Sequence, residues 1–225
     1  MTLLYSLDLG PENNGEDFCE RNPGQLLCRR DAYGRYGLEA RFIPADNGSP
    51  RLTFLRSFPS VDEATLTYKV WFEPGFEFVR GGKLPGLGSS NPLTGCADAS
   101  ALRWSVRCMW GEEGRLVVYY YGQNRDEKCG DDLMAHNFRF VPGEEYRMQI
   151  RVRLNNPGYS DGTVELRVNN ELLAVKDDLE LRGDTHHDSA RIQKFIGNWF
   201  FGGSDSSWAP SRPQFARFFD IQVRG

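Results

Sequence analysis

The chain has 225 residues and a formal charge of −4, an acidic balance that argues against a general nucleic-acid binder, which needs a broadly basic surface. Apolar residues make up 40% of the sequence and aromatics 13%, enough for a full core that does not depend on disulfides. No apolar run reaches the ~18 residues of a membrane helix, and the N-terminal Met1 to Gly10 lacks the basic start and apolar stretch of a signal peptide.

No linker, repeat or low-complexity break interrupts the chain, so one domain over 1–225 is expected. Cys19, Cys28, Cys96, Cys108 and Cys129 contain no C-x-x-C pair, which weakens a zinc reading. In an oxidising compartment, Cys19 is expected to pair with Cys28 and Cys96 with Cys129, leaving Cys108 as a buried thiol. In 64–72, Ala64, Leu66, Tyr68, Val70 and Phe72 alternate with Thr65, Thr67, Lys69 and Trp71, the period of a half-buried strand.

Residues 102–110 and 115–122 are rich in aromatic and β-branched types and flank Gly111-Glu112-Glu113-Gly114, which reads as a hairpin. A three-residue loop, Glu112 to Gly114, with glycine at its left-handed third position sets the register. Arg107 then faces Tyr119, and Ser105 faces Tyr121. Trp104, Val106, Cys108, Trp110, Leu116, Val118 and Tyr120 share one apolar face, while Ser105, Arg107, Met109, Val117, Tyr119 and Tyr121 share the other. A loop one residue longer would turn every side chain to the wrong face.

Strands follow at 147–154, at 163–169, at 172–175 after a tight Asn169-Asn170 turn, and at 217–223 with Phe219, Ile221 and Val223 as the buried set. The stripe of Arg147, Arg151 and Arg153 reads as a solvated convex face rather than the border of a groove. Many short strands between Gly, Pro, Asn and Asp clusters, with no competing helical period, indicate an all-β fold: an antiparallel β-sandwich of jelly-roll type, with a curved sheet across which a ligand can lie.

Several motifs carry no chemistry. Gly81-Gly82-Lys83 fails as a phosphate loop because Glu77 and Leu84 stand where glycine and Ser or Thr are needed. His186 and His187 are adjacent and read as solvated loop residues, leaving His136 as a candidate second catalytic group. No G-x-S-x-G elbow is present. Asp131-Asp132 and Glu144-Glu145 are neighbours that face opposite sides of a strand, unlike a glycosidase acid/base pair. No carboxylate run has calcium-loop spacing, so neither a metal nor a cofactor is expected.

The segment Tyr68-Lys69-Val70-Trp71-Phe72 followed by Gly81-Gly82-Lys83-Leu84-Pro85-Gly86-Leu87 resembles polysaccharide lyase family 14, the alginate and glucuronate lyases, and related glucuronan lyases share much of it. Agreeing blocks are Trp104 to Trp110, Val118 to Tyr121, and Phe200 to Pro210 before a terminal Phe219-Asp220 strand. Gly88-Ser89-Ser90 departs from the more glycine-rich run of many relatives. The positions the family uses fall on Lys83, Ser105, Arg107, Tyr119 and Tyr121.

The resemblance implies a secreted polyuronate lyase, acting as a monomer on an anionic polysaccharide, with no nucleic-acid or membrane partner. Such an enzyme removes the C5 proton of a uronate and expels the C4 oxygen. Arg107 and Lys83 are the candidates to neutralise the carboxylate, Tyr119 or Tyr121 to act as base and acid, and Ser105 to hydrogen-bond substrate or serve structure. In mannuronate and glucuronate the proton and leaving oxygen share a ring face, so one phenol can do both steps; guluronate should be poorer. Mannuronate-rich alginate is the first substrate expected and glucuronan the second. A sugar-binding sandwich without catalysis is the competing class.

Overall fold

The computed structural model describes residues 1–9, 19, 24–126 and 128–225. Among them lie strands β1 (Leu3–Ser6), β2 (Leu26–Arg30), β3 (Tyr36–Phe42), β4 (Leu52–Val61), β5 (Glu63–Phe72), β6 (Gly81–Gly88) and β7 (Ser105–Gly111). They are followed by β8 (Arg115–Tyr121), β9 (Asp131–Arg139), β10 (Glu145–Arg153), β11 (Gly162–Val168), β12 (Glu171–Leu179), β13 (Ile192–Phe201) and β14 (Gln214–Arg224). One sheet runs β12-β11-β10-β5-β14-β3-β2 with β1 also on β14; the other runs β4-β13-β6-β7-β8-β9. This is the expected all-β antiparallel sandwich, and short 3-10 turns at Glu112–Gly114, Asp188–Ala190 and Ser206–Trp208 lie between its strands.

The core lies between the sheets. The eight-stranded sheet supplies Ala64, Leu66, Tyr68, Val70 and Phe72 with Met148, Ile150 and Val152, and the six-stranded sheet supplies Trp104, Val106, Cys108, Trp110, Leu116 and Val118, all buried. These are the apolar faces that the period-2 pattern predicts. Phe42, Phe72 and Phe201 meet the Trp110 ring edge-on at centroid distances of 5.1 to 5.7 Å, the geometry aromatic quadrupoles favour.

The hairpin register is as expected: Ser105 pairs with Tyr121 and Arg107 with Tyr119. Gly114 has φ 76°, and Glu113 also enters the left-handed region at φ 57°. Both disulfides form as expected, Cys19–Cys28 and Cys96–Cys129, and Cys108 is a buried thiol. Asn169 and Asn170, at φ 50° and 71°, make the tight turn between β11 and β12. Arg147, Arg151 and Arg153 lie on the eight-stranded sheet, where Arg151 pairs with Glu63 and Glu165, a solvated face as read.

The buried set of β14 differs from the expected Phe219, Ile221 and Val223. Phe219 is buried but lies outside the inter-sheet core, whereas Phe218 lies within it with Ile221 and Val223. The β14–β5 register shifts between Phe219 and Gln222, and Asp220 sits at φ 51°. This bulge resets the alternation and turns Phe219 to the outer face.

Candidate active site

A cleft of about 710 Å³ crosses the outer face of the six-stranded sheet. Every strand of that sheet lines it: Thr53 and Leu55 from β4, Ile196, Asn198 and Phe200 from β13, Lys83 from β6, Arg107 and Met109 from β7, Tyr119 and Tyr121 from β8, and Asp132 from β9. Arg51, Arg103, Lys83 and Arg107 meet a single lining carboxylate, Asp132. In a chain of net charge −4, this local excess of cations selects an anionic ligand.

Lys83 reaches the cleft through a bulge. Strand β6 pairs Lys83 with Met109 and Gly86 with Arg107, so three residues on β6 span two on β7. The extra residue falls in Leu84-Pro85, where proline has no N–H to give the ladder. The bulge keeps Lys83 and Gly86 on the cleft side while Leu84 and Leu87 enter the core. Lys83 Nζ sits 3.8 Å from the centre of the Tyr119 ring and against Met109 Sδ. Burial, reinforced by the positive charge of Arg107, pushes its ammonium from 10.5 down to about 6, and Asp132 only partly opposes the shift.

Arg107 is 4% exposed. Its Nη1 donates to Asn198 Oδ1 at 3.2 Å, and its Nε has no hydrogen-bond partner. Its guanidinium lies 5.6 Å from the ring centres of both Tyr119 and Tyr121. Burial lowers its affinity for the proton, with partial compensation from the two phenols, yet a guanidinium remains charged. A buried cation without a carboxylate partner is costly, and a ligand carboxylate is the group that relieves it.

The two phenols are held from behind. Their hydroxyls are 3.2 Å apart; the Gly130 N–H donates to Tyr119 Oη at 2.7 Å, and the Cys96 N–H to Tyr121 Oη at 3.2 Å. Burial, and then the hydrogen bond with Tyr121, raise the Tyr119 pKa, while the Gly130 N–H and the Arg107 charge pull it down. Desolvation therefore outweighs both the N–H donor and the nearby guanidinium.

Lys83, Arg107, Tyr119 and Tyr121 thus come together. Ser105 does not line the cleft: it is fully buried, and its Oγ donates to the Leu93 carbonyl at 2.7 Å. It faces the cleft side of its strand but is roofed by the loop between β6 and β7. His136 is exposed on β9 and also stands outside the cleft. Sequence reading missed Asn198, whose Nδ2 donates to Thr53 Oγ1 at 2.9 Å while its Oδ1 holds Arg107. The signal was a lone amide within Phe195 to Phe201, since a polar group in an apolar strand must be paired. Asp132, set aside as half of an adjacent pair, lies opposite Tyr119. Among the described residues, no cluster of three or more His, Cys, Asp or Glu could hold a metal, and no helix is long and apolar enough to cross a membrane.

A β-sandwich with a cationic, tyrosine-lined cleft across one sheet defines a protein built to hold an acidic polymer. Residues 48–221 match the family described as polysaccharide lyase 14. The chain belongs to that family and is a polysaccharide lyase. Its fold is similar to that of the alginate lyase of family 14 from Aplysia kurodai, at 24% identity and TM-score 0.76, with 100% of this chain and 99% of that one covered. It is similar too to an alginate lyase from a Chlorella virus, at 20% identity and TM-score 0.75, with 99% of each chain covered. An endo-β-1,4-glucuronan lyase from the fungus Trichoderma reesei shares the fold at 10% identity and TM-score 0.61, with 90% and 88% covered. No curated protein matches the sequence.

Proposed function

We propose that the chain is one catalytic unit that cleaves 1,4-linked polyuronate by β-elimination, with mannuronate-rich alginate as substrate. The observation that carries this reading is Arg107: a buried guanidinium with an unpartnered Nε, beside Lys83 and the paired Tyr119 and Tyr121 hydroxyls. Abstracting the C5 proton puts a second negative charge on the uronate carboxylate. Donors fixed where that charge develops stabilise the transition state, and loss of one costs about 3 to 4 kcal/mol. Arg107 grips the carboxylate, and Lys83, protonated as the carboxylate arrives, adds a point charge. A phenol of the Tyr119–Tyr121 pair takes the C5 proton and returns one to the C4 oxygen on the same ring face.

A second assignment is favoured by the low affinity of Lys83 for its proton. A neutral amine titrating near neutrality is itself a competent base, leaving the phenol pair to protonate the leaving oxygen. Lys83→Arg separates the two. Retention of more than about a tenth of kcat assigns Lys83 the charge role, whereas loss as complete as in Lys83→Ala assigns it the base.

The reaction itself is tested by ultraviolet absorbance of the C4–C5 double bond with polymannuronate, polyguluronate and glucuronan supplied separately. Fastest growth on polymannuronate is expected. Growth confined to glucuronan would move the substrate, and no growth on any polymer would sink the polyuronate reading.

A further inference from the structure

On the opposite side of the molecule, the outer face of the eight-stranded sheet carries an aromatic surface edged by guanidiniums. Its layout follows from the pairing. Glu39, Arg217, Trp71 and Glu145 form one row across β3, β14, β5 and β10. Arg41 and Phe215 stand one step along β3 and β14, and Phe219, two residues beyond Arg217 and opposite Lys69, stands one step the other way beside Gly37. A Cβ at Gly37 would fall 2.4 Å from the Phe219 ring, so the absent side chain is what lets that ring lie flat across β3. The Arg35 guanidinium covers Phe219 at 4.5 Å from its centre, and the Arg217 guanidinium lies 5.3 Å from Trp71 and 5.1 Å from Phe215. A hollow of about 630 Å³ opens among Tyr33, Trp71 and Phe219; within it Arg35 is ion-paired with Asp31 and Glu145, so the charge excess lies not in the hollow but beside it, on β2, β3 and β14.

The charge of this face is unbalanced at one point. Glu39, whose side chain is only 4% exposed, is shared by Arg29 at 3.5 Å, Arg41 at 3.2 Å and Arg217 at 3.0 Å. One carboxylate cannot neutralise three guanidiniums, and Arg29 and Arg41 hold roughly half their surface open to solvent. Among the described residues Arg29 and Arg41 have no carboxylate partner besides Glu39, and guanidiniums beside aromatic faces suit a polymer of acidic pyranoses, whose carboxylates meet the cations and whose C–H faces meet the rings. From β2 to β10 the surface spans roughly 19 Å at the usual strand spacing.

We propose that this face is a second binding site for the anionic polysaccharide, holding a segment of polymer remote from the one in the cleft; this rests on the polyuronate reading above. Tethering at a remote site raises the effective concentration of the polymer at the cleft without touching the chemistry. A short oligosaccharide cannot reach both faces and gains nothing.

Trp71→Ala and, separately, Arg29→Gln with Arg41→Gln are compared with the parent enzyme on long polymer and on its tetrasaccharide, at low and high salt. The expected result is a polymer KM raised at least about threefold at low salt in both variants, with kcat and the tetrasaccharide kcat/KM unchanged and the melting temperature held. An unchanged polymer KM in both variants overturns the proposal, as does an equal loss on both substrates. Sedimentation is run alongside: a concentration-dependent dimer lost in Trp71→Ala, with polymer KM unaffected, would assign the face to a second copy of the chain instead. If the parent enzyme cleaves no polyuronate, the lyase reading fails by itself. Electrophoretic retardation in gels containing each polymer then judges the face: retardation weakened by both variants keeps it, and retardation equal to the parent's removes it.

Discussion

Lys83 is predicted to take up a proton when the acidic sugar binds. With its ammonium pushed down to about 6, roughly 3% of it is charged at pH ~7.5 in the free enzyme. A carboxylate placed ~4 Å away at an effective dielectric of about 20 favours the charged form by about 4 kcal/mol, which is roughly 3 pK units. The bound value then lies near ~9 and the uptake is ~0.9 proton per site. Between those two values the affinity falls as pH rises, by up to about tenfold per unit, because each binding event must first charge the amine. The assay is calorimetric titration of a catalytically silent Tyr119→Phe/Tyr121→Phe enzyme with a mannuronate tetrasaccharide in buffers of different ionisation enthalpy. Intact binding with an uptake below ~0.2 proton would refute the reasoning, because Lys83 would then stay neutral beside the ligand. That outcome would favour the amine as base.

Gly86→Ala should destabilise the fold by at least about 2 kcal/mol in urea unfolding, since the added Cβ would fall 2.2 Å from the Val106 carbonyl oxygen and 2.6 Å from Arg107 Cα, both backbone atoms. Replacing Cys96 and Cys129 by Ser should lower kcat about tenfold, because the donors that position both phenols come from Cys96 and from Gly130 next to Cys129, and should move the rise in kcat to higher pH, because the Gly130 N–H lowers the Tyr119 pKa. The same change at Cys19 and Cys28 should alter stability alone. Asn198→Ala should cost about 1 to 2 kcal/mol in kcat/KM, since it removes the acceptor that orients Arg107. At saturating polymer, kcat should rise from neutral towards alkaline pH while KM rises with it, because burial raises the Tyr119 pKa and a phenolate base becomes more abundant as pH increases; a kcat maximum below neutrality would contradict a phenol as base.

The hairpin was legible because its information is local. A period of two and one left-handed glycine fix which side chains share a face, and Arg107, Tyr119 and Tyr121 fall where the count places them. Lys83 joined them through family likeness, since the bulge at Leu84-Pro85 is a property of the β6–β7 pairing and leaves no periodic trace. Phe219 was misplaced because the alternation was carried straight through Asp220, although the adjacent Phe218 and Phe219 break that pattern. Ser105 shows the limit of face counting: its side chain points the right way, but whether a loop covers it depends on residues 89–104, which have no period to read.

The glycines of this site act chiefly by absence of volume. A Cβ at Gly82 would fall 2.0 Å from the Trp110 ring, and one at Gly203 would fall 1.9 Å from the Trp208 ring at the cleft rim. Gly86 lets β6 lie close against Arg107. That closeness buries the Arg107 guanidinium and most of the Lys83 amine at the cleft floor with Asp132 as the one lining carboxylate, an arrangement that opposes folding through the uncompensated guanidinium. It persists because the same desolvation strengthens the field on a carboxylate entering the cleft, and the field is greatest when that carboxylate carries its second charge. A nearer counter-ion would relieve the resting enzyme and weaken its hold on the transition state by the same interaction. Asp132, within electrostatic reach of Lys83 but forming no ion pair with Arg107, leaves the guanidinium free for the substrate.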